Sequence, residues 1–87
     1  MRVRRSRSAP ILRTQGEVTV NVDGAVLMLE PVSALMVNLA EEWTPSVDLA
    51  RLTAEIVDPL DERSDVRTEI RLAMLDLVTH GVLDVEI

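Results

Sequence analysis

The residue types that most often carry catalysis are scarce in this chain of 87 residues. It has no cysteine and one histidine, His80, which directly precedes Gly81 at the end of a helical pattern. A histidine at that place interacts favourably with the helix C-terminus, so we predict a capping role for it. The glycines form no phosphate-binding loop, and no serine stands in a nucleophile motif with the histidine.

The acidic side chains also give no catalytic pattern. They are spread along predicted helix surfaces, and neighbours such as Glu41–Glu42 and Asp61–Glu62 do not share a helical face. We therefore predict that the chain is not an enzyme, and we expect no cofactor and no metal. The absence of cysteine, of a signal peptide and of any apolar run of about 18 residues predicts a cytoplasmic protein with no membrane partner.

Charge is distributed unevenly along the chain. Five of the nine basic residues, all Arg, precede residue 14 without any acid, whereas the rest of the chain carries four Arg against fifteen acids. We predict that residues 1–8 form a disordered basic arm and that residues 9–87 form one domain. Because the domain is acidic, phosphate backbones would repel it, and we expect no nucleic-acid partner.

The clearest structural pattern is a β-hairpin at residues 17–29. Valines alternate with polar residues up to Asp23–Gly24, a dipeptide typical of a type I′ turn. A two-residue turn fixes the register and places three pairs on the core face: Val22–Ala25, Val20–Leu27 and Val18–Leu29. Val26 and Met28 then lie on the opposite face.

Three helices are predicted after the hairpin, over residues 31–42, 46–57 and 62–80. A short strand within residues 9–13 precedes the hairpin, and residues 82–87 form a short strand or tail. The order β-β-β-α-α-α predicts an α+β fold, in which a small three-stranded antiparallel sheet packs on a three-helix winged helix-turn-helix.

The predicted core positions follow helical spacing. They are Val32, Leu35, Met36, Leu39, Ala40 and Trp43 in the first helix, Leu49, Leu52 and Ile56 in the second, and Val66, Ile70, Ala73, Met74, Leu77 and Val78 in the third. Leu72 and Leu75 fall on the far side of the third helix. They either contact another part of a crowded core or face a partner.

The strand Ala25–Leu29 contains no polar residue and needs cover on both faces. It also lacks the usual protection of an edge strand, since it has no Lys, no internal Pro and no bulge signal. It is therefore a plausible template for an incoming peptide strand, held by main-chain hydrogen bonds. The alternative is that the N-terminal strand of the chain itself covers it.

Three segments together resemble a known family: "DGAVLMLEPVSALMVNL", "DLARLTAEIV" and "LDLVTHGVL". Over about residues 10–85 the chain is similar to the PqqD-like RiPP recognition elements of ribosomal-peptide natural product biosynthesis, including those of lasso-peptide pathways. The resemblance implies that a precursor's leader peptide adds as a fourth strand along the third strand, in a groove walled by the third helix. It also implies a non-catalytic domain, monomeric or weakly dimeric, that delivers the leader peptide to a radical SAM protein, a cyclase or a leader peptidase.

Carried onto this sequence, the resemblance assigns peptide binding to the third strand, which comprises Ala25, Val26, Leu27, Met28 and Leu29. On the third helix, Leu72 and Leu75 would then be apolar pocket residues. Arg67 and Arg71 would meet acidic leader residues.

Three alternative functions each require particular sequence features. A winged-helix DNA-binding regulator fits the helix trio, but the third helix alternates acids with Arg and has no positive face. An acyl carrier would need an Asp-Ser-Leu attachment site, which "PSVDL" does not supply. A homo-oligomerising assembly subunit would use the same strand edge on a second copy of itself.

Overall fold

The computed structural model describes residues 1–57 and 64–87. In chain order its elements are β1 (Arg2–Arg5), β2 (Ile11–Thr14), β3 (Glu17–Val22), β4 (Ala25–Leu29), α1 (Pro31–Leu39), β5 (Thr44–Pro45), α2 (Ser46–Val57), α3 (Ser64–Thr79) and β6 (Leu83–Glu86). The fold is α+β, as predicted. The described residues form two three-stranded antiparallel sheets, where the sequence predicted one. The winged helix-turn-helix assignment stays a prediction.

The first sheet has the order β2-β3-β4 and contains the predicted hairpin. Asp23 and Gly24 both have positive φ, 51° and 84°, as a type I′ turn requires. The predicted register is confirmed, with Val22 opposite Ala25, Val20 opposite Leu27 and Val18 opposite Leu29. A second tight turn at Gln15–Gly16, also with positive φ at both residues, joins β2 to β3.

The second sheet has the order β5-β1-β6 and overturns the predicted disordered arm at residues 1–8. β1 is its central strand and pairs with β6 along its whole length and with β5 at Arg2 and Val3. The Val3 side chain is fully buried in the core, and Ser6 is 4% exposed. The prediction was wrong because it weighed the charge of the segment and overlooked a single apolar anchor between the arginines.

The arginines of β1 are held by groups that are distant in sequence. Arg2 pairs with Glu86, and Arg4 lies 3.9 Å from Asp84. The Arg4 guanidinium also stacks over the Trp43 ring, 4.4 Å from its centroid, as a cation–π contact. The acids of β6 therefore neutralise part of the basic charge that suggested a solvated tail.

The core lies between the two sheets and the three helices. Its fully buried larger side chains are Val3, Val20, Met36, Val37, Leu49, Ile70, Val82 and Leu83. The predicted core stripe of α3 is confirmed, since Ile70, Met74 and Leu77 are buried and the other three members pack against them. The predicted start of this helix near residue 62 lies outside the described residues.

Two helix predictions need correction. α1 begins at Pro31 as predicted but ends at Leu39 and not near residue 42. α2 has the predicted bounds, yet two of its three predicted core residues, Leu52 and Ile56, are 36% and 55% exposed and do not belong to the core. The buried positions of α2 are the predicted Leu49 and the polar Thr53. The Thr53 hydroxyl donates to the Leu49 carbonyl oxygen at 2.7 Å, so the backbone satisfies a polar side chain that was not predicted to be in the core.

The C-terminus of α3 turns the chain back into β6. Gly81 has a φ of +79°, its N–H donates to Val78 O, and the Val82 N–H donates to Leu77 O. This double hydrogen bond is a Schellman motif, with Gly81 at the predicted left-handed position. Among the described residues, no helix has both the length and the apolar character needed to cross a bilayer.

Candidate functional site

β4 has a free edge in the described part of the chain. It pairs with β3 on one side and with no other described strand. The alternative cover, the strand predicted within residues 9–13, is β2, and it pairs with β3 on the far side from β4. β1 pairs with β5 and β6. The expectation that β4 is a sheet edge is therefore met in the described residues.

The hydrogen-bond pattern shows which backbone groups of β4 face that edge. The N–H of Asn21 donates to Pro10 O at 3.0 Å, which means that it points towards β2. Asn21 and its β4 partner Val26 therefore form a non-hydrogen-bonded pair, and the N–H and C=O of Val26 point away from β3. The same alternation gives Met28 this orientation, whereas Leu27 bonds to β3.

A groove of about 250 Å³ lies between this strand, the start of α1 and the last turns of α3. Leu27, Met28 and Leu29 line it from β4. From α3 come Ala73, Asp76 and Leu77, and His80 follows directly after its last residue; their spacing places all four on one side of the helix. Its volume is below the roughly 300–1,000 Å³ of small-molecule sites, and its elongated strand wall suits a few side chains of a bound peptide.

Leu72 and Leu75, the predicted pocket residues of α3, lie outside this groove. They are 61% and 55% exposed, so neither belongs to the core, and neither is among the residues that line the groove. The core-contact interpretation is therefore wrong for both residues, whereas their predicted role in peptide binding stays a prediction. The α3 side of this groove is formed by Ala73, Asp76 and Leu77, with His80 directly after the helix.

Arg67 and Arg71, the predicted partners of acidic leader residues, also do not line this groove. Both are exposed, and at 100° per residue they lie roughly 130–170° around α3 from the centre of the groove-facing residues. Ala73 and Leu77, in contrast, belong to both the core stripe and the groove face. Part of the groove wall is therefore formed by residues that the sequence pattern assigns to the core. The opposite face of α3, which carries Arg67 and Arg71, does not line the groove.

The ionisable groups that line the groove are Glu30, Asp76 and His80. The Nδ1 atom of His80 lies 2.8 Å from the Asp76 carbonyl oxygen and 3.3 Å from its Oδ1. The carbonyl contact agrees with the predicted capping role of this histidine. Sequence reasoning missed that the same residue, with Asp76, also lines the groove.

The outer face of the β2-β3-β4 sheet carries three large apolar side chains that the described residues leave exposed. Leu12, Val26 and Met28 are 65%, 69% and 68% exposed. Leu12 and Met28 lie on either side of the same residue of β3, Thr19, and are therefore two strand spacings, about 10 Å, apart on this face. Only one of the two faces of β4 is packed against the core.

Comparison with models of protein families, with curated proteins and with solved structures found no match to this chain. In residues 1–57 and 64–87, no group of three or more His, Asp or Glu side chains is arranged to hold a metal ion.

Proposed function

We propose that this protein is a non-catalytic peptide-binding domain that accepts an extended peptide as a fourth strand along β4. The observation that carries the proposal is the unpaired edge formed by the backbone of Val26 and Met28, directly beside a groove. In this mode of recognition, main-chain hydrogen bonds supply affinity, and alternate side chains of the peptide enter pockets that supply selectivity.

The dimensions suit a short peptide segment. β4 has five residues and is therefore about 17 Å long, which matches a peptide strand of five or six residues. Its two outward-facing residues offer about four main-chain hydrogen bonds, worth on the order of 1 kcal/mol each before the cost of ordering the peptide. These main-chain hydrogen bonds alone would give only weak affinity, so peptide side chains that enter the groove must contribute to binding.

The proposed ligand is the leader peptide of a ribosomal precursor. The support is the resemblance of residues 10–85 to PqqD-like recognition elements, in which the third strand, here Ala25–Leu29, is the docking strand. In this proposal the domain acts in the cytoplasm and delivers the leader to a modifying enzyme, such as a radical SAM protein or a cyclase, or to a leader peptidase.

A proline scan of the two sheet edges tests the proposal. Val26→Pro removes one N–H that points to the open edge of β4. The substitution removes no hydrogen bond between β4 and β3, because the Val26 N–H is not bonded to β3. The Val26 side chain does not line the groove, and Val26→Ala should bind normally. Arg13→Pro is the matched control, because the Arg13 N–H points outward at the opposite edge of the same sheet.

The probe is a fluorescent dodecapeptide selected by display against the intact chain, with circular dichroism to verify the folding of each variant. We expect Val26→Pro to weaken binding at least tenfold and Arg13→Pro to change it less than twofold. Equal affinity of folded Val26→Pro and the unmodified protein would show that peptides do not bind along β4.

A further inference from the structure

We infer that the groove selects a cationic peptide, with aliphatic side chains at two alternate positions and a Lys or Arg close to them. This inference rests on the proposed function and specifies the chemistry of its ligand. It reverses the charge preference that the sequence predicted from Arg67 and Arg71.

The charges beside β4 are negative. Glu30 and Asp76 line the groove, no Arg is among the described lining residues, and the chain contains no Lys. Arg67 and Arg71 project from the other side of α3. The whole chain has a net charge of −6, so an acidic peptide would meet repulsion both locally and at long range.

The positions of the Glu30 and Asp76 carboxylates indicate where the Lys or Arg side chain of the peptide would lie. Glu30 directly follows the last residue of β4, and Asp76 lies on the α3 wall one helical turn before His80. Leu27, Leu29 and Leu77 supply apolar surface next to them. The long stem of Lys or Arg can lie along such surface while its charged end stays in water near the carboxylates, and aliphatic neighbours fill the rest of the groove.

A second copy of this chain is the less favoured occupant. If two copies paired through their β4 edges, Glu30 and Asp76 of each copy would come close to the same carboxylates of the other. Like charges brought together in this way oppose association, and no Arg side chain is among the described residues that line the groove to compensate for them.

The test begins with display selection of random dodecapeptides on the intact chain at low salt. We expect Lys and Arg to be enriched over Asp and Glu among the retained peptides. For a retained peptide, Glu30→Gln and Asp76→Asn should each weaken binding about two- to fivefold, because the side chain of Asp76 is 71% exposed and exposed ion pairs are weak. The effect should fade in 0.5 M salt, where the Debye length falls to about 4 Å.

The matched control is Glu41→Gln, which makes the same change of charge at an exposed position beyond the opposite end of α1. It should leave affinity unchanged. Asp76→Arg should shift the selection towards acidic peptides, while circular dichroism verifies that the variant is folded.

Three results would overturn the inference in distinguishable ways. Retained peptides that depend on Val26 in the proline test but show no basic enrichment would contradict the charge preference and leave the proposed function intact. Failure to retain any peptide would contradict both. A homodimer in analytical ultracentrifugation that Val26→Pro dissociates would assign the groove to a second copy of the chain.

Discussion

The two sheets differ in where their strands come from and in how completely they are paired. The β5-β1-β6 sheet joins both ends of the chain to its middle, and its central strand carries the fully buried Val3. The β2-β3-β4 sheet is built from two tight turns between neighbouring strands and leaves β4 with a free edge in the described residues. The comparison indicates that the long-range sheet holds the fold together and that the local sheet is available for binding.

Removing the N-terminal segment should have the largest effect. Deletion of residues 1–8 takes away the central strand, leaves β5 and β6 without their partner, and uncovers the core around Val3. A domain of this size has a total stability of about 5 kcal/mol or little more, so we expect no cooperative thermal unfolding transition by circular dichroism. A truncated chain that melts within a few degrees of the full chain would contradict the role of the β5-β1-β6 sheet.

The same contrast between a packed and an exposed surface exists within α3. Ile70 is 1% exposed, and Ile70→Ala should cost about 2–5 kcal/mol in the free energy of unfolding. Leu72→Ala and Leu75→Ala, at exposed positions, should change it by less than about 0.5 kcal/mol. Urea unfolding of the three variants measures the difference, and a large loss at Leu72 would place that side chain in the core after all.

A pair of identical substitutions makes the comparison between the sheets quantitative. Val3→Ala and Val26→Ala remove the same atoms, once from the buried central strand and once from the outer face of β4. We expect a loss of about 2 kcal/mol for the first and less than about 0.5 kcal/mol for the second. Similar losses at both positions, measured by the same urea titration, would mean that the outer face of β4 is covered.

The sequence predicted the parts of the molecule that local chemistry determines. The Asp23–Gly24 turn sets the register of β3 and β4, Pro31 starts α1, and Gly81 ends α3, because each of these depends on the φ angles of one or two residues. These features need no knowledge of distant contacts.

The features that the sequence did not reveal depend on contacts between distant residues. Nothing local indicates that Val3 would be buried between β5 and β6, or that the two residues Thr44–Pro45 would form a strand. The groove wall was missed for a related reason. Helical periodicity separates the core side of α3 from its opposite side. It does not show that the groove beside β4 runs along the edge of the core stripe, where Asp76 and His80 line it.

Amide hydrogen exchange along β4 tests the central claim most directly. In the free protein the N–H groups of Leu27 and Leu29 bond to β3 and should exchange slowly, whereas those of Val26 and Met28 face the open edge and should exchange fast. With a saturating display-selected peptide, Val26 and Met28 should become protected as well, giving continuous protection from residue 26 to residue 29. Protection of Val26 and Met28 in the free protein, or their continued fast exchange in the complex, would contradict strand addition at β4.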